Sequence, residues 1–234
     1  MSGNSRNKGN QTDVADDVVN SLLDRRPVAM MLQEACYVQF RHTRARLASL
    51  YAAAFFKVPG RTCENGGGSF GNALLWRRDA LAVNHTKQYD LNSEAGLEKR
   101  QMGCLKSDRP RLVACTVHLS NDTETDSQKR ELAVVAQTTR GWATKYPVIV
   151  GGDFNGTEDG DPLDAMYLPD YGGGARGIFR EIDDLGARAG EPTHEKGKYD
   201  YIFFTRGLRW HWGDATFSSG GDSDHAPLWG ALTI

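Results

Sequence analysis

The chain has 234 residues, a length at which α/β enzymes commonly fold as one unit, so we expect a single domain over 1–234. Hydrophobic residues make up 39% and charged residues 25%, which excludes disorder, collagen and coiled coil as descriptions of the whole chain. The 28 Lys and Arg residues are balanced by 30 Asp and Glu residues, so no overall positive charge indicates a nucleic-acid-binding protein. We expect no membrane span, because no apolar run reaches roughly 18 residues, and the polar first residues do not resemble a signal peptide.

Helices and short strands alternate along the sequence. Asp13 can cap a first helix whose apolar residues fall on one face and which ends at Pro27. The continuously apolar run 28–32 is typical of a buried strand, and helices are predicted over 41–54 and 127–146. Further strands are predicted over 73–76, 81–85, 112–118, 148–150, 199–204, 208–212 and 227–234. This order favours a layered α/β or α+β sandwich.

The four cysteines, Cys36, Cys63, Cys104 and Cys115, contain no CxxC pair, which argues against a zinc knuckle or a thioredoxin-like motif. Cys104 and Cys115 flank a turn-like segment between two strand-like runs, and neighbours across a hairpin lie at a bridgeable distance. Two disulfides and four buried free thiols both remain open. Disulfides would favour an extracellular protein, and the localisation is otherwise unknown.

Several apolar runs end abruptly in acidic, amide or imidazole side chains. These side chains are Glu34, His118, Asp153, Asn155, Asp224 and His225, and Asp200 lies inside a further apolar run. Strand ends are where a rigid sheet presents reactive groups to a shared cleft. The oxygen-rich set suits Mg²⁺, Mn²⁺ or Ca²⁺ better than zinc.

Each of these residues also has an ordinary structural interpretation. Glu34 is consistent with a solvated cap, Asp153 with a turn former, and a single histidine with a satisfied core or surface residue. Asp200 is more informative, because a carboxylate among apolar neighbours is costly to bury without a partner. The combination of all these positions favours a functional site.

Four motifs give a more specific prediction. They are LQE at 32–34, GDFN at 152–155, YDYIF at 199–203 and SDHAP at 223–227. In this order and spacing the chain resembles the endonuclease/exonuclease/phosphatase, or DNase I-like, superfamily from about residue 13 to its last residue. The resemblance implies a four-layered α/β sandwich of two mixed, mostly antiparallel sheets flanked by helices, with a metal site at one rim.

The resemblance also implies roles for the metal ligands and the water. Glu34 corresponds to the principal ligand of a Mg²⁺ ion, with Mn²⁺ and Ca²⁺ as alternatives, and Asp224 to an additional ligand. Asp153 corresponds to the residue that orients or deprotonates the attacking water. Asn155 corresponds to a residue that donates to a phosphate oxygen.

The remaining roles concern two histidines. Asp200 resembles the carboxylate that fixes the tautomer of His225 and raises its basicity. His118 resembles the general acid of the DNase I-like and sphingomyelinase-like branches. Arg100 resembles an arginine that contacts the scissile phosphate, although a solvated arginine fits the sequence nearly as well.

The start of the sequence departs from the pattern of the superfamily. Its members begin with a core strand that ends in an asparagine of the metal and phosphate site. Asn4, Asn7 and Asn10 lie in a polar segment that follows no apolar strand, so none of them is assigned this role. We therefore expect either an absent first strand or a reduced variant of the fold.

Taken together, the sequence predicts a monomeric, metal-dependent phosphodiesterase, with endonuclease activity on DNA as the main hypothesis. A hydrolase of another phosphate ester, either sphingomyelinase-like or a phosphomonoesterase, remains an alternative, as does a catalytically silent binding module. Candidate contacts to DNA are basic and aromatic side chains: Arg41, Arg44, Arg61, Arg77, Arg78, Arg176, Trp210 and Trp212.

Overall fold

A computed structural model describes residues 12–158, 160–183, 188–215 and 223–234. Within these ranges the helices are α1 (Asp13–Arg25), α2 (Tyr37–Arg46) and α3 (Thr125–Ala143), with 3₁₀ turns at Asp161–Ala165 and Pro169–Tyr171. The strands are β1 (Ala29–Cys36), β2 (Tyr51–Thr62), β3 (Ser69–Arg77), β4 (Val83–Asp90), β5 (Gln101–Asp108), β6 (Arg111–His118), β7 (Val148–Asp153), β8 (Phe179–Glu181), β9 (Asp200–Thr205), β10 (Arg209–Ala215) and β11 (Leu228–Thr233). None of the described helices is both long and apolar enough to cross a membrane.

The strands form one large sheet and two smaller ladders. The six-stranded sheet has the order β4-β5-β6-β7-β9-β8, in which β6 and β7 are parallel and the other neighbours are antiparallel. On the other side, the described strands form the antiparallel ladders β1-β3-β2 and β10-β11. The sheets are therefore mixed and mostly antiparallel, as predicted. Asn4, Asn7 and Asn10 lie outside the described residues.

Three hydrophobic clusters define four layers. Met31, Leu74, Leu105, Ala114 and Phe204 pack together from strands of both sheets and form the core of the sandwich. Helix α1 covers the outer face of β1 and β3 through residues such as Val19 and Leu22. Helix α3 covers the outer face of β6 and β7 through Leu132 and Val135. The predicted four-layered sandwich is confirmed.

The predicted helix over 41–54 is wrong in its second half. Helix α2 ends at Arg46, and 51–57 pair residue by residue with β3. The alanines at 52–54 favour a helix in isolation, but hydrogen bonding along the neighbouring strand overrides that local preference. The helix predicted over 127–146 and all the predicted strands overlap observed elements. Strands β2 and β8 were not predicted, and β5 was indicated only as a strand-like run at Cys104.

All four cysteines form disulfides. Cys104 lies directly opposite Cys115 in the β5–β6 ladder, and the two are bonded, as the hairpin suggested. Cys36 at the end of β1 is bonded to Cys63, which follows β2. The free-thiol alternative is therefore wrong, and the second disulfide ties the end of β1 to a neighbouring loop.

Candidate active site

Three neighbouring strands of the large sheet bring their polar ends together. His118 is opposite Asp153 in the parallel β6–β7 ladder, and Asp153 is opposite Asp200 in the antiparallel β7–β9 ladder. Adjacent strands lie about 4.8 Å apart, so register alone places these three side chains in one row. All three residues are buried.

Glu34 reaches this row because β1 contains a bulge. Leu32 pairs with Ala73 and Ala35 with Gly71, so Gln33 and Glu34 together oppose one residue of β3. Glu34 has a φ of +53°, a left-handed conformation in which such bulges redirect a side chain. Its Oε1 lies 3.9 Å from His118 Nε2. Burial raises the pKa of the Glu34 carboxyl from 4.5 to about 7.

Asp200 and His225 form a buried hydrogen-bonded pair. His225 Nδ1 donates to Asp200 Oδ2 over 2.7 Å, so the neutral imidazole presents Nε2 as an acceptor. The backbone N–H of Asp200 donates to Thr193 Oγ1 at 2.9 Å, and the carbonyl of Thr193 accepts from Ala226 N–H at 2.7 Å. Burial lowers the pKa of His225, but the hydrogen bond and charge of Asp200 outweigh it and raise that pKa to about 9.

Asp153 lies between the two histidines. Its Oδ2 is 3.6 Å from His118 Nε2 and 3.9 Å from His225 Nε2, while Oδ1 accepts from the N–H of Asn155 at 2.9 Å. Burial, with the negative charge of Asp200, raises the pKa of Asp153 well above its ordinary value of 3.8. Asn155 has a φ of +48° and donates from Nδ2 to the carbonyl of Leu119 at 3.0 Å, and among the described residues its second amide hydrogen has no acceptor.

Arg100 is buried beside His118. Its Nη1 lies 3.1 and 3.2 Å from the two ring nitrogens of His118 and 3.0 Å from Glu98 Oε1. Burial, together with the positive charge of Arg100, holds the pKa of His118 well below 6.5. His118 is therefore neutral in the metal-free protein at pH 7.

These residues line a cleft of about 350 Å³. It contains Glu34, His118, Asp153, Asn155, Asp224 and His225, and Arg100 and Asp200 contact its walls from behind. The sequence did not single out the six other lining residues, which are Asn121, Asp122, Thr123, His194, Lys196 and Tyr199. The sequence feature that could have indicated this part of the cleft is a polar turn with a histidine, directly before the strand that carries Asp200.

The donor set fits a hard divalent cation held by few protein ligands. Among the described residues no three His, Cys, Asp or Glu side chains converge as a ready cage. Mg²⁺ is commonly bound by one or two carboxylates together with water and substrate phosphate, so such a cage is not required. Within the same described residues, the buried Oδ1 of Asp224 has no hydrogen-bond partner. Glu34 and Asp224 therefore fit the predicted role of ligands.

The other predicted contacts to DNA are dispersed. Arg77 binds Asp79 and the carbonyl of Arg26, and Arg78 binds the carbonyl of Ala48. Trp210 and Trp212 pair with Leu232 and Ala231, towards the end of the β10–β11 hairpin that is remote from His225. Trp210 and Trp212 therefore lie away from the end of the hairpin that leads to the candidate site.

Comparison with known proteins shows the family of the chain. The sequence matches the endonuclease/exonuclease/phosphatase family over residues 2–225. The chain belongs to this family. Members of the family hydrolyse phosphoester bonds and generally use divalent metal ions. A search of curated protein sequences gave no match.

Solved structures share the fold at low sequence identity. They include the human nocturnin catalytic domain with bound sulfate, at 17% identity over 95% of this chain and 88% of that chain, with a TM-score of 0.74. D. rerio TDP2 complexed with a single-strand DNA product shares 15% sequence identity over 100% of this chain and 96% of that chain, with a TM-score of 0.77. A mannosyl-6-phosphatase of Bacteroides thetaiotaomicron shares 15% sequence identity over 98% of this chain and 94% of that chain, with a TM-score of 0.72. At these identities the likeness shows the fold.

Proposed function

We propose that the protein is a divalent-metal-dependent phosphodiester hydrolase that cleaves DNA as an endonuclease. The observation that carries this proposal is the buried Asp200–His225 pair beside Asp153, in the same cleft as Glu34. Carboxylates at strand ends, a histidine with a fixed tautomer and a buried arginine are the groups that metal-assisted hydrolysis of a phosphodiester requires.

Asp153 and His225 are placed to hold the attacking water. Asp153 Oδ2 and His225 Nε2 lie 3.9 Å apart, which leaves one water within hydrogen-bond reach of both atoms. A divalent cation on Glu34 and Asp224 would polarise a phosphoryl oxygen and offset negative charge in the cleft. In its presence His225 would be neutral more often and able to take the proton of the water.

The other side of Asp153 is suited to the phosphate. Arg100 and the second amide hydrogen of Asn155 supply donors for its unesterified oxygens. His118 is neutral in the metal-free protein, and a phosphodiester anion beside it would favour its protonated form. Protonated His118 could then act as the general acid for the leaving oxygen.

One observation favours a second candidate, a hydrolase of small phosphate esters. Basic side chains near the cleft already contact carboxylates: Arg61 and Arg100 both bind Glu98, and Lys196 lies 3.8 Å from Asp122. Binding of DNA requires cations that contact the phosphates flanking the scissile bond. The single-strand DNA product bound by D. rerio TDP2 supports the first candidate, and the mannosyl-6-phosphatase supports the second.

Cleavage of supercoiled plasmid with Mg²⁺ or Mn²⁺, next to an EDTA control, tests the proposal. We expect metal-dependent nicking that Glu34→Ala and His225→Ala abolish, while the matched variant His85→Ala on the exposed face of β4 retains it. Bis(p-nitrophenyl) phosphate is assayed in parallel. Intact plasmid with a cleaved aryl ester would favour the second candidate. If Glu34→Ala and His225→Ala retain both activities, the site is refuted. If the wild-type protein cleaves neither substrate, a catalytically silent binding module is favoured.

A further inference from the structure

The cleft has a second wall, beside His225, that the proposed chemistry does not use. It consists of Asp122, His194, Lys196 and Tyr199, and we call it the His194 wall. We propose that the His194 wall binds the hydroxyl-bearing sugar attached to the phosphate and so selects sugar phosphates over other phosphate esters. This inference rests on the second candidate of the proposed function, the hydrolysis of small phosphate esters, because the sugars inside a DNA strand have no free hydroxyl group.

A tight turn builds the wall. His194 and Gly197 exchange two backbone hydrogen bonds of 3.0 Å, and Gly197 has a φ of +138°, a conformation that favours glycine. The backbone N–H of Lys196 donates to His194 Nδ1 at 3.2 Å. The neutral imidazole therefore carries its proton on Nε2, where it acts as a donor.

Two aromatic rings hold the imidazole of His194 in place. Its ring stacks on Tyr199 at a centroid distance of 5.3 Å and an interplanar angle of 6°. It also lies 4.8 Å from the ring of His225, centroid to centroid. The His194 wall is therefore fixed directly beside the histidine that faces the attacking water, within reach of a group esterified to the phosphate.

The remaining members add both kinds of hydrogen-bonding group. The buried Tyr199 donates from its hydroxyl to Asp122 Oδ2 at 2.7 Å, and Lys196 Nζ lies 3.8 Å from the same oxygen. This leaves a carboxylate acceptor and an ammonium donor at the rim, next to the imidazole donor. Sugar hydroxyls donate and accept at once and match this combination, whereas an acyl chain would desolvate the ion pair without replacing its hydrogen bonds.

A pair of esters with the same leaving group tests the inference. Thymidine 5′-(p-nitrophenyl phosphate) carries a sugar, and methyl p-nitrophenyl phosphate does not. For the wild-type protein we expect a higher kcat/KM on the thymidine ester. In His194→Ala and Asp122→Asn the ratio of the two kcat/KM values should fall about tenfold, which corresponds to the loss of one hydrogen bond. Lys129→Ala, outside the cleft, is the matched control and should leave the ratio unchanged.

Binding provides a readout that does not depend on catalysis. By calorimetry with Mg²⁺ present, the wild-type protein should bind deoxyribose 5-phosphate more tightly than inorganic phosphate, and His194→Ala and Lys196→Ala should reduce this preference about tenfold. Lys196 is exposed, so its variant tests the wall even if His194→Ala fails to fold.

The outcomes separate the two proposals. If the wild-type protein cleaves neither ester, the proposed function fails, while the binding preference still decides the sugar site. Equal affinity for deoxyribose 5-phosphate and inorganic phosphate would overturn the inference whatever the activity. An equal loss on both esters in His194→Ala would also overturn it, because His194 would then act through His225 instead of through the sugar.

Discussion

Asp200 determines the state of His225 at the scale of single residues. The two share a buried hydrogen bond of 2.7 Å, and the charge of Asp200 holds the pKa of His225 at about 9 despite burial. In Asp200→Asn the charge is lost, and we expect the pKa of His225 to fall below 6.5, because burial then dominates. NMR titration of the imidazole in the metal-free protein measures this. A pKa near 9 in the variant would show that another group stabilises the imidazolium.

Glu34 supports a second prediction at this scale. If its carboxylate is the principal metal ligand, Glu34→Gln should weaken Mn²⁺ binding at least about tenfold, since an amide oxygen is a poorer ligand for a hard cation. The affinity can be measured by electron paramagnetic resonance of free Mn²⁺. Glu98→Gln is a suitable control, because Glu98 contacts Arg61 and Arg100 instead of the cleft oxygens. Unchanged affinity in Glu34→Gln would remove Glu34 from the site.

At the scale of elements, helix α3 anchors the loop that carries part of the cleft. Glu131 is fully buried and accepts hydrogen bonds from the backbone N–H and hydroxyl of Ser120, at 2.8 and 2.7 Å. Gln128, one turn earlier, donates to the carbonyl of Asn155 at 2.7 Å. The helix therefore sets the positions of both the β6–α3 loop and the segment after β7.

Glu131→Ala should lower the free energy of unfolding by about 3 kcal/mol, because it leaves the buried backbone N–H of Ser120 without its acceptor and removes one acceptor of the Ser120 hydroxyl. Glu131→Gln keeps one acceptor oxygen and should cost less. Gln137→Ala, on the exposed side of the same helix, should change the stability by less than about 0.5 kcal/mol. Urea denaturation measures all three variants, and equal effects of Glu131→Ala and Gln137→Ala would contradict the anchoring role.

The elements also show where sequence reasoning succeeds. Apolar runs that end in polar residues identified β1, β6, β7 and β9 together with the groups at their ends. Such a strand end can be recognised from neighbouring residues in the sequence, without knowledge of long-range contacts. The alanines at 52–54 were misassigned because pairing with β3 is a long-range interaction that local propensity does not contain. The bulge at Glu34 was not predicted for the same reason, since it exists through the register between β1 and β3.

The whole chain illustrates a further limit. The ordered motifs predicted the family and the layers, and both are confirmed. The His194 wall was missed because its parts are far apart in sequence: Asp122 follows β6, whereas His194 precedes β9 and meets Asp122 through the hydroxyl of Tyr199. Substrate selection depends on such contacts between loops, so it was the part of the function least accessible from the sequence.

The buried ionisable groups make the stability of the metal-free protein depend on pH. Burial raises the pKa of Glu34 to about 7 and that of Glu181 to about 8, from 4.5 in each case, and Asp200 raises that of His225 from 6.5 to about 9. Each group binds its proton more tightly in the folded state, so its stabilising contribution is complete at low pH and is lost as the pH rises through the folded pKa. The pKa of His118 is lowered, so this residue makes the stability increase as the pH rises, but only below pH 6.5.

The melting temperature of the metal-free protein should therefore fall between pH 6.5 and 9. Added Mg²⁺ should raise it more at pH 9 than at pH 6.5, because the cation binds the ionised carboxylates that burial disfavours. Glu34→Gln, which removes one of these groups, should flatten the decline and reduce the effect of Mg²⁺. Differential scanning calorimetry across this range measures both. A melting temperature that rises towards pH 9 without metal would mean that the buried carboxylates are already neutralised by the protein itself, and would argue against a cation site at Glu34.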